Sequence, residues 1–294
     1  MLFKTVTAAL AAVSLSTVAL AQTAAAPEFT ADAFRSHVAF LADDLLQGRD
    51  TGSEGYDIAA RYVATRFAGL GLEPAGPNGS WYQQVPFVRY KLADTPATLT
   101  IGGETFTNGE QVLIGANARE PNQSIEAPVV FVGYGIDAPE QGFNDYAGLD
   151  VAGKIVAVIS GTPKGTPSEL AASLNRQKSE MAAEHGAIGV VTIRSRADEE
   201  RRPWKAMSDY GSHASMTWIG EDGLAYSAAP TVRATAALGP DAAKALFAGA
   251  PHSLDSVLDE AAKEGGKPKG FALDHSIKLE RQSVTDKISS PNVV

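Results

Sequence analysis

The stretch APVVFVGYGIDAPEQGFNDYAGLDVAGKIVAVISG, residues 127–161, decides how the rest of the chain is read. It holds two short runs rich in β-branched residues, 129–132 and 155–159. Both are too short for helices, so each predicts a buried strand. A loop rich in Gly, Asp and Asn separates them. Helix-patterned sequence follows, then a third apolar run at 189–193. Strand, strand, helix, strand is one packing unit, and its flanks read as its surroundings.

Working outward toward the N-terminus, Trp81 to Tyr90 predicts one strand. Residues 97–101 and 104–106, on either side of Gly102-Gly103, predict a hairpin. Little more sheet is expected before the central unit. Earlier still, Phe34, Val38, Leu41 and Leu45 recur at helical spacing, and Gly48 ends that helix. The loop Gly48-Arg49-Asp50-Thr51-Gly52-Ser53 leads to a second helix. Ser53 is its expected N-cap, and Ala59, Val63, Phe67 and Leu70 form its expected buried stripe. Gly71 suits a left-handed C-terminal cap, and Pro74 prevents resumption. Residues 22–27 form a small-residue linker. Residues 1–21 have a positive start at Lys4, an apolar body and Ala19-Leu20-Ala21, the pattern of an export signal cleaved after Ala21.

Toward the C-terminus, residues 166–186 predict a helix through Leu170, Leu174 and Met181, with Lys178 and Glu184 pointing outward. Residues 194–210 are charged, lack a period and read as an exposed loop. A strand within 230–238 and short helices at 241–247 and 253–263 follow. Residues 271–287 alternate like an extended strand. The final Val293-Val294 reads as the opening of a further strand.

The 294 residues carry a net charge of −9, which disfavours nucleic acid as a partner. Cysteine is absent, which excludes disulfides, thiolate metal sites and cysteine nucleophiles. No stretch after residue 30 suits a membrane span. There is no phosphate-cradling loop and no GxSxG elbow. Gly133-Tyr134-Gly135 follows a strand but lacks the rest of a dinucleotide fingerprint, so it reads as a tight turn. The histidines His37, His185, His213, His252 and His275 show no i, i+4 pair and no HExxH. Each reads as a solvated or partly buried imidazole; Asp209 with His213, and Ser212 beside His213, lack supporting geometry. Asp43 and Asp44 are adjacent and point apart. Residues 199–202 read as a solvated charged face. From residues alone, no catalytic, cofactor-binding or metal site is assigned.

Three segments together resemble one family. Leu41-Ala42-Asp43-Asp44-Leu45-Leu46-Gln47-Gly48-Arg49-Asp50-Thr51-Gly52-Ser53, with Gly69-Leu70-Gly71-Leu72-Glu73-Pro74, resembles the start of secreted di-zinc aminopeptidases, the transferrin-receptor-like metallopeptidases. Residues 130–136, 145–156 and 182–190 resemble the protease-associated domain inserted in many of them. Ser290-Pro291-Asn292-Val293-Val294 is similar to the return into the peptidase body. The resemblance implies an α/β fold. Residues 22–90 would begin the peptidase domain, 95–272 would be the protease-associated domain, and 275–294 would re-enter the peptidase. It implies an exported, periplasmic or extracellular aminopeptidase with two zinc ions and a peptide substrate. The family's metal ligands follow the re-entry strand, so none maps onto this sequence. The expectation is a chain that by itself binds no zinc and is inactive. A non-catalytic exported peptide- or protein-binding module of protease-associated fold is the competing expectation.

Overall fold

The structure is a computed structural model; it describes residues 30–208 and 213–294. The export signal, Asp209 and Ser212 lie outside the described residues.

The fold is mixed α/β, built on a ten-stranded sheet. The N-terminal part comprises helices α1 (Ala31–Leu41) and α2 (Glu54–Gly69), then strands β1 (Tyr82–Leu92), β2 (Thr98–Ile101), β3 (Glu104–Thr107) and β4 (Val112–Ile114). The middle comprises β5 (Asn122–Phe131), the short pair β6 (Asp137–Ala138) and β7 (Phe143–Asn144), β8 (Ile155–Ile159), α3 (Ser168–Glu184) and β9 (Gly189–Ile193). After it come α4 (Arg196–Arg201), α5 (Trp204–Ser208), β10 (Ser215–Trp218), β11 (Ala234–Leu238), α6 (Pro240–Leu246), α7 (Leu254–Ala261) and β12 (Phe271–Val293).

The sheet order is β10-β1-β12-β5-β8-β9-β11-β4, with the β2–β3 hairpin paired to β12. β5, β8, β9 and β11 are parallel neighbours, and β8 is buried throughout. A parallel strand covered on both faces favours a continuous apolar run, which is what residues 155–159 carry. β12 is 23 residues long. Its first half lies between β5 and β2, and its second half pairs with β1 as far as Val293 opposite Tyr82. Val293 thus pairs within β12, and the Val294 amide donates to the Trp81 carbonyl at 3.0 Å. A single apolar core runs from Leu92 to Leu279 and is filled by Phe106, Phe131, Ile155, Ile159, Ile193 and Leu246.

Ser53 caps α2 by accepting from the Tyr56 amide at 3.2 Å, as its position predicts. Gly71 has φ +79°, the left-handed geometry expected after that helix. The Gly102-Gly103 hairpin turn has φ +57° and +88°, a pair that suits a tight turn between twisted strands.

Five expectations are corrected. The α1 stripe is not buried: no α1 residue is, and Phe34 is 66 % exposed. In α2 the buried face is Gly55, Ala60 and Ala64 rather than the larger stripe, because this helix lies close on β12. A Cβ at Gly55 would stand 1.8 Å from the Leu46 carbonyl oxygen, so only glycine allows that approach. Of the stretch 194–210, the described residues 194–208 are not an open loop. They contain α4 and α5, with Trp204 buried and Glu199 bonded to Arg194 and the Trp204 amide. Lys178 points inward, and the sheet also gains β4 and the early half of β5.

Candidate functional site

The polar residues that the fold buries are structural clamps. Lys178 lies on α3 between Leu174 and Met181 and is 6 % exposed. Its ammonium donates to the Ile159 carbonyl at 2.8 Å and the Gly161 carbonyl at 2.5 Å, closing the C-terminal end of β8. It also stands 5.6 Å from the centre of the Tyr134 ring. Burial pulls its pKa down to about 8, partly offset by the Asp145 and Asp198 charges. Asp145 is pushed upward by burial, and the Ile136 amide it accepts at 3.0 Å pulls it back. Tyr134 donates to the Ala261 carbonyl at 3.0 Å, and burial pushes its pKa up to about 12.

A second clamp is Arg281 on β12. Its guanidinium donates to the Gly115 and Arg233 carbonyls and to the Gln123 side-chain oxygen. Burial lowers its pKa to about 10, against the Glu120 charge. Arg233 in turn pairs with Glu120 at 2.7 Å. These contacts tie β12 to β5 and to the chain before β11. Ser160 donates to the Asp198 carboxylate and accepts the Ser195 amide at 2.9 Å. That links the ends of β8 and β9 without forming an acid–base relay.

The histidines flagged in the sequence are dispersed. His37 Nδ1 is 2.7 Å from the Tyr62 hydroxyl, which joins α1 to α2. His185 Nε2 is 2.7 Å from Asp137, and its ring stacks on Tyr146 at 4.2 Å. The Tyr146 hydroxyl is buried without a hydrogen-bond partner, and burial raises its pKa. His252 leans on Phe271, and the His275 ring lies against Gly102. His213 is exposed, and Asp209 lies outside the described residues. Asp43 accepts the Leu45 amide at 2.9 Å and so serves as a turn cap. Among the described residues no three His, Cys, Asp or Glu side chains converge as a metal site would require. Gly133 and Gly135 form a tight turn, as read: their φ values are +62° and +70°, and added Cβ atoms would meet the Pro268 carbonyl and Val158.

What the structure does present is apolar surface. Phe34, Val38 and Phe40 of α1, Leu45 after it, and Ile58, Leu70 and Leu72 on and after α2 are all exposed. Leu45 is 86 % exposed. Exposed apolar side chains of this size mark an interaction surface where they adjoin one another. None of the described helices is long and apolar enough to cross a membrane.

No protein-family profile matches the chain, and no curated protein matches it. Similar solved structures include peptidases. An aminopeptidase from Aneurinibacillus sp. strain AM-1 has 19 % identity and a TM-score of 0.40, covering 87 % of this chain and 46 % of its own. A peptidase M28 precursor from Shewanella amazonensis SB2B has 18 % identity and a TM-score of 0.36, covering 89 % of this chain and 52 % of its own. The chain thus spans about half the length of these two neighbours.

Proposed function

We propose that these residues are the accessory-domain-bearing part of an exported zinc aminopeptidase. In this reading residues 22–90 begin the peptidase body, 95–272 form a protease-associated domain, and 275–294 return to the body. The observation that carries it is the contrast within one chain. Residues from Leu92 to Leu279 close around their own core, while Phe34, Val38 and Phe40 of α1 and Ile58 of α2 are left exposed. Helices of this kind need a further layer to lie against. The described residues do not fit a two-zinc centre, since no acidic and imidazole side chains converge. The reading therefore places the metal ligands in other sequence and assigns no step of hydrolysis to these residues. The substrate is a peptide; the net charge of −9 argues against nucleic acid.

Two measurements test this. Purified mature chain, with zinc added, is assayed on an aminoacyl-nitroanilide, and no turnover above buffer is expected. The coding DNA is read in frame past codon 294, where His-x-Asp and later acidic ligands are expected. Zinc-dependent, chelator-sensitive turnover by this chain overturns the division of labour. A frame without those ligands overturns the peptidase reading and leaves the non-catalytic binding module, which the self-contained core favours.

A further inference from the structure

β10 is one edge of the large sheet, and on its outward side the Met216 backbone has no partner among the described residues. β10 pairs with β1 in the register Phe87 opposite Trp218 and Arg89 opposite Met216, without a bulge. The Ile219 amide donates to the Pro86 carbonyl at 2.8 Å. In an antiparallel pair the residues that exchange hydrogen bonds alternate, so Thr217 shares the inward set with Ile219. Met216 and Trp218 then present their N–H and C=O groups away from β1. Trp218 confirms the parity: its carbonyl accepts the Tyr226 amide at 2.9 Å from the opposite side. The returning chain bonds back at Leu224, Ala225 and Tyr226, where the Thr217 hydroxyl also donates to the Tyr226 carbonyl at 3.1 Å, and then departs. Among the described residues nothing pairs with the Met216 backbone.

The side chains at this edge are also unusual. Trp218 is 44 % exposed and stacks on exposed Tyr226 at 4.5 Å between ring centres. Met216 is exposed on the same face. Beside the ring pair is a cavity of about 490 Å³ lined by Trp218, Tyr226, Leu224, Glu221, Asp222 and Arg119. The Arg119 guanidinium is tied to the Ala225 carbonyl at 2.8 Å; Glu221 and Asp222 lie on the exposed turn, where one Asp222 oxygen accepts the Leu224 amide at 3.0 Å. Edge strands are ordinarily blunted by Lys, Pro, a bulge or a covering loop. Ser215-Met216-Thr217-Trp218 has neither Lys nor Pro, and its register carries no bulge.

We propose that β10 is a strand-addition site for an extended peptide with apolar residues at alternate positions and a positive charge near one end. An extended backbone pairs with the outward N–H and C=O of Met216, which gives affinity. The Met216, Trp218 and Tyr226 surface takes the alternate apolar side chains, and the Glu221–Asp222 turn takes the charge. A second copy of the chain is the poorer occupant, because each brings a charge of −9. This goes beyond the peptidase reading and does not depend on it.

The test uses the full mature chain and the peptide acetyl-Lys-Val-Thr-Val-Thr-Val-amide, with binding read by calorimetry. Met216→Pro removes an N–H that β1 does not use, so it leaves the melting temperature unchanged and weakens binding at least tenfold. Trp218→Ala weakens it severalfold. Thr217→Pro, whose N–H faces β1, lowers the melting temperature and so checks the parity. The proposal is overturned if the parent chain does not bind the peptide. It is also overturned if Met216→Pro binds as the parent does, or if the parent sediments as a dimer that Met216→Pro converts to monomer.

Discussion

Replacing Lys178 with methionine removes a charge that the fold has partly neutralised already, and the consequence is a pH dependence. The amine titrates at about 8 in the folded chain against a reference of 10.5. Between those values the unfolded chain binds more protons than the folded one, so stability rises with pH. Other perturbed groups act elsewhere. Tyr134 and Tyr146 are raised, so the stability they provide is lost above pH 10, and Arg281 acts only above about 10. The clean window is therefore pH 8 to 10. One proton across it, allowing for partial titration at both ends, amounts to about 2 kcal/mol. For a chain of this size that is a rise of about 4 °C in melting temperature. The neutral amine keeps two N–H donors for the Ile159 and Gly161 carbonyls, so the clamp survives deprotonation. Lys178→Met is expected to start lower, because two carbonyls lose their donor, and to show a flat profile across the window. The assay is urea unfolding at half-unit pH steps for both proteins. Parallel profiles, or a parent that loses stability from pH 8 to 10, would refute the placement of a buried, largely desolvated amine.

Other expectations rest on equally local features. Gly55→Ala is expected to cost about 3 kcal/mol, since its Cβ would strike the Leu46 carbonyl and separate α2 from the preceding turn; chemical denaturation reads this directly. Arg281→Ala leaves the Gly115 and Arg233 carbonyls and Gln123 without their donor and is expected to cost about 3 kcal/mol in the same assay. The double change Phe34→Ser and Leu45→Ser is expected to shift stability by no more than about 0.5 kcal/mol while reducing binding of a hydrophobic dye. A loss several times larger would place those side chains in a core and undo the argument for a missing layer.

Local pattern settled a good deal here. The run at 155–159 and the run at 189–193 coincide with β8 and β9, and Ser53, Gly71 and Gly102-Gly103 do what their chemistry predicts. Each of these signals is complete within a few residues: a continuous apolar run, a hydroxyl one step before a helix, or a glycine where φ is positive.

Tertiary structure decided what depends on partners far away in sequence. Lys178 occupies a position on the buried stripe of α3, four after Leu174 and three before Met181, yet its charge predicts solvent. Only the ends of β8, brought beneath the helix, offer the carbonyls that make its burial favourable. α1 carries an amphipathic pattern, but whether a stripe is covered depends on what lies against it, and here the Tyr62 ring of α2 meets Phe40 while Phe34 and Val38 stay exposed. β12 reads as an alternating stretch, but its 23-residue length and double role come from β5, β2 and β1 aligning along it. The open edge at β10 is invisible in sequence for the same reason. Four residues become an edge only when one neighbour pairs on one side and the chain turns away on the other. Periodicity reports which face of an element is apolar; burial and edges are set by which surfaces the chain brings together.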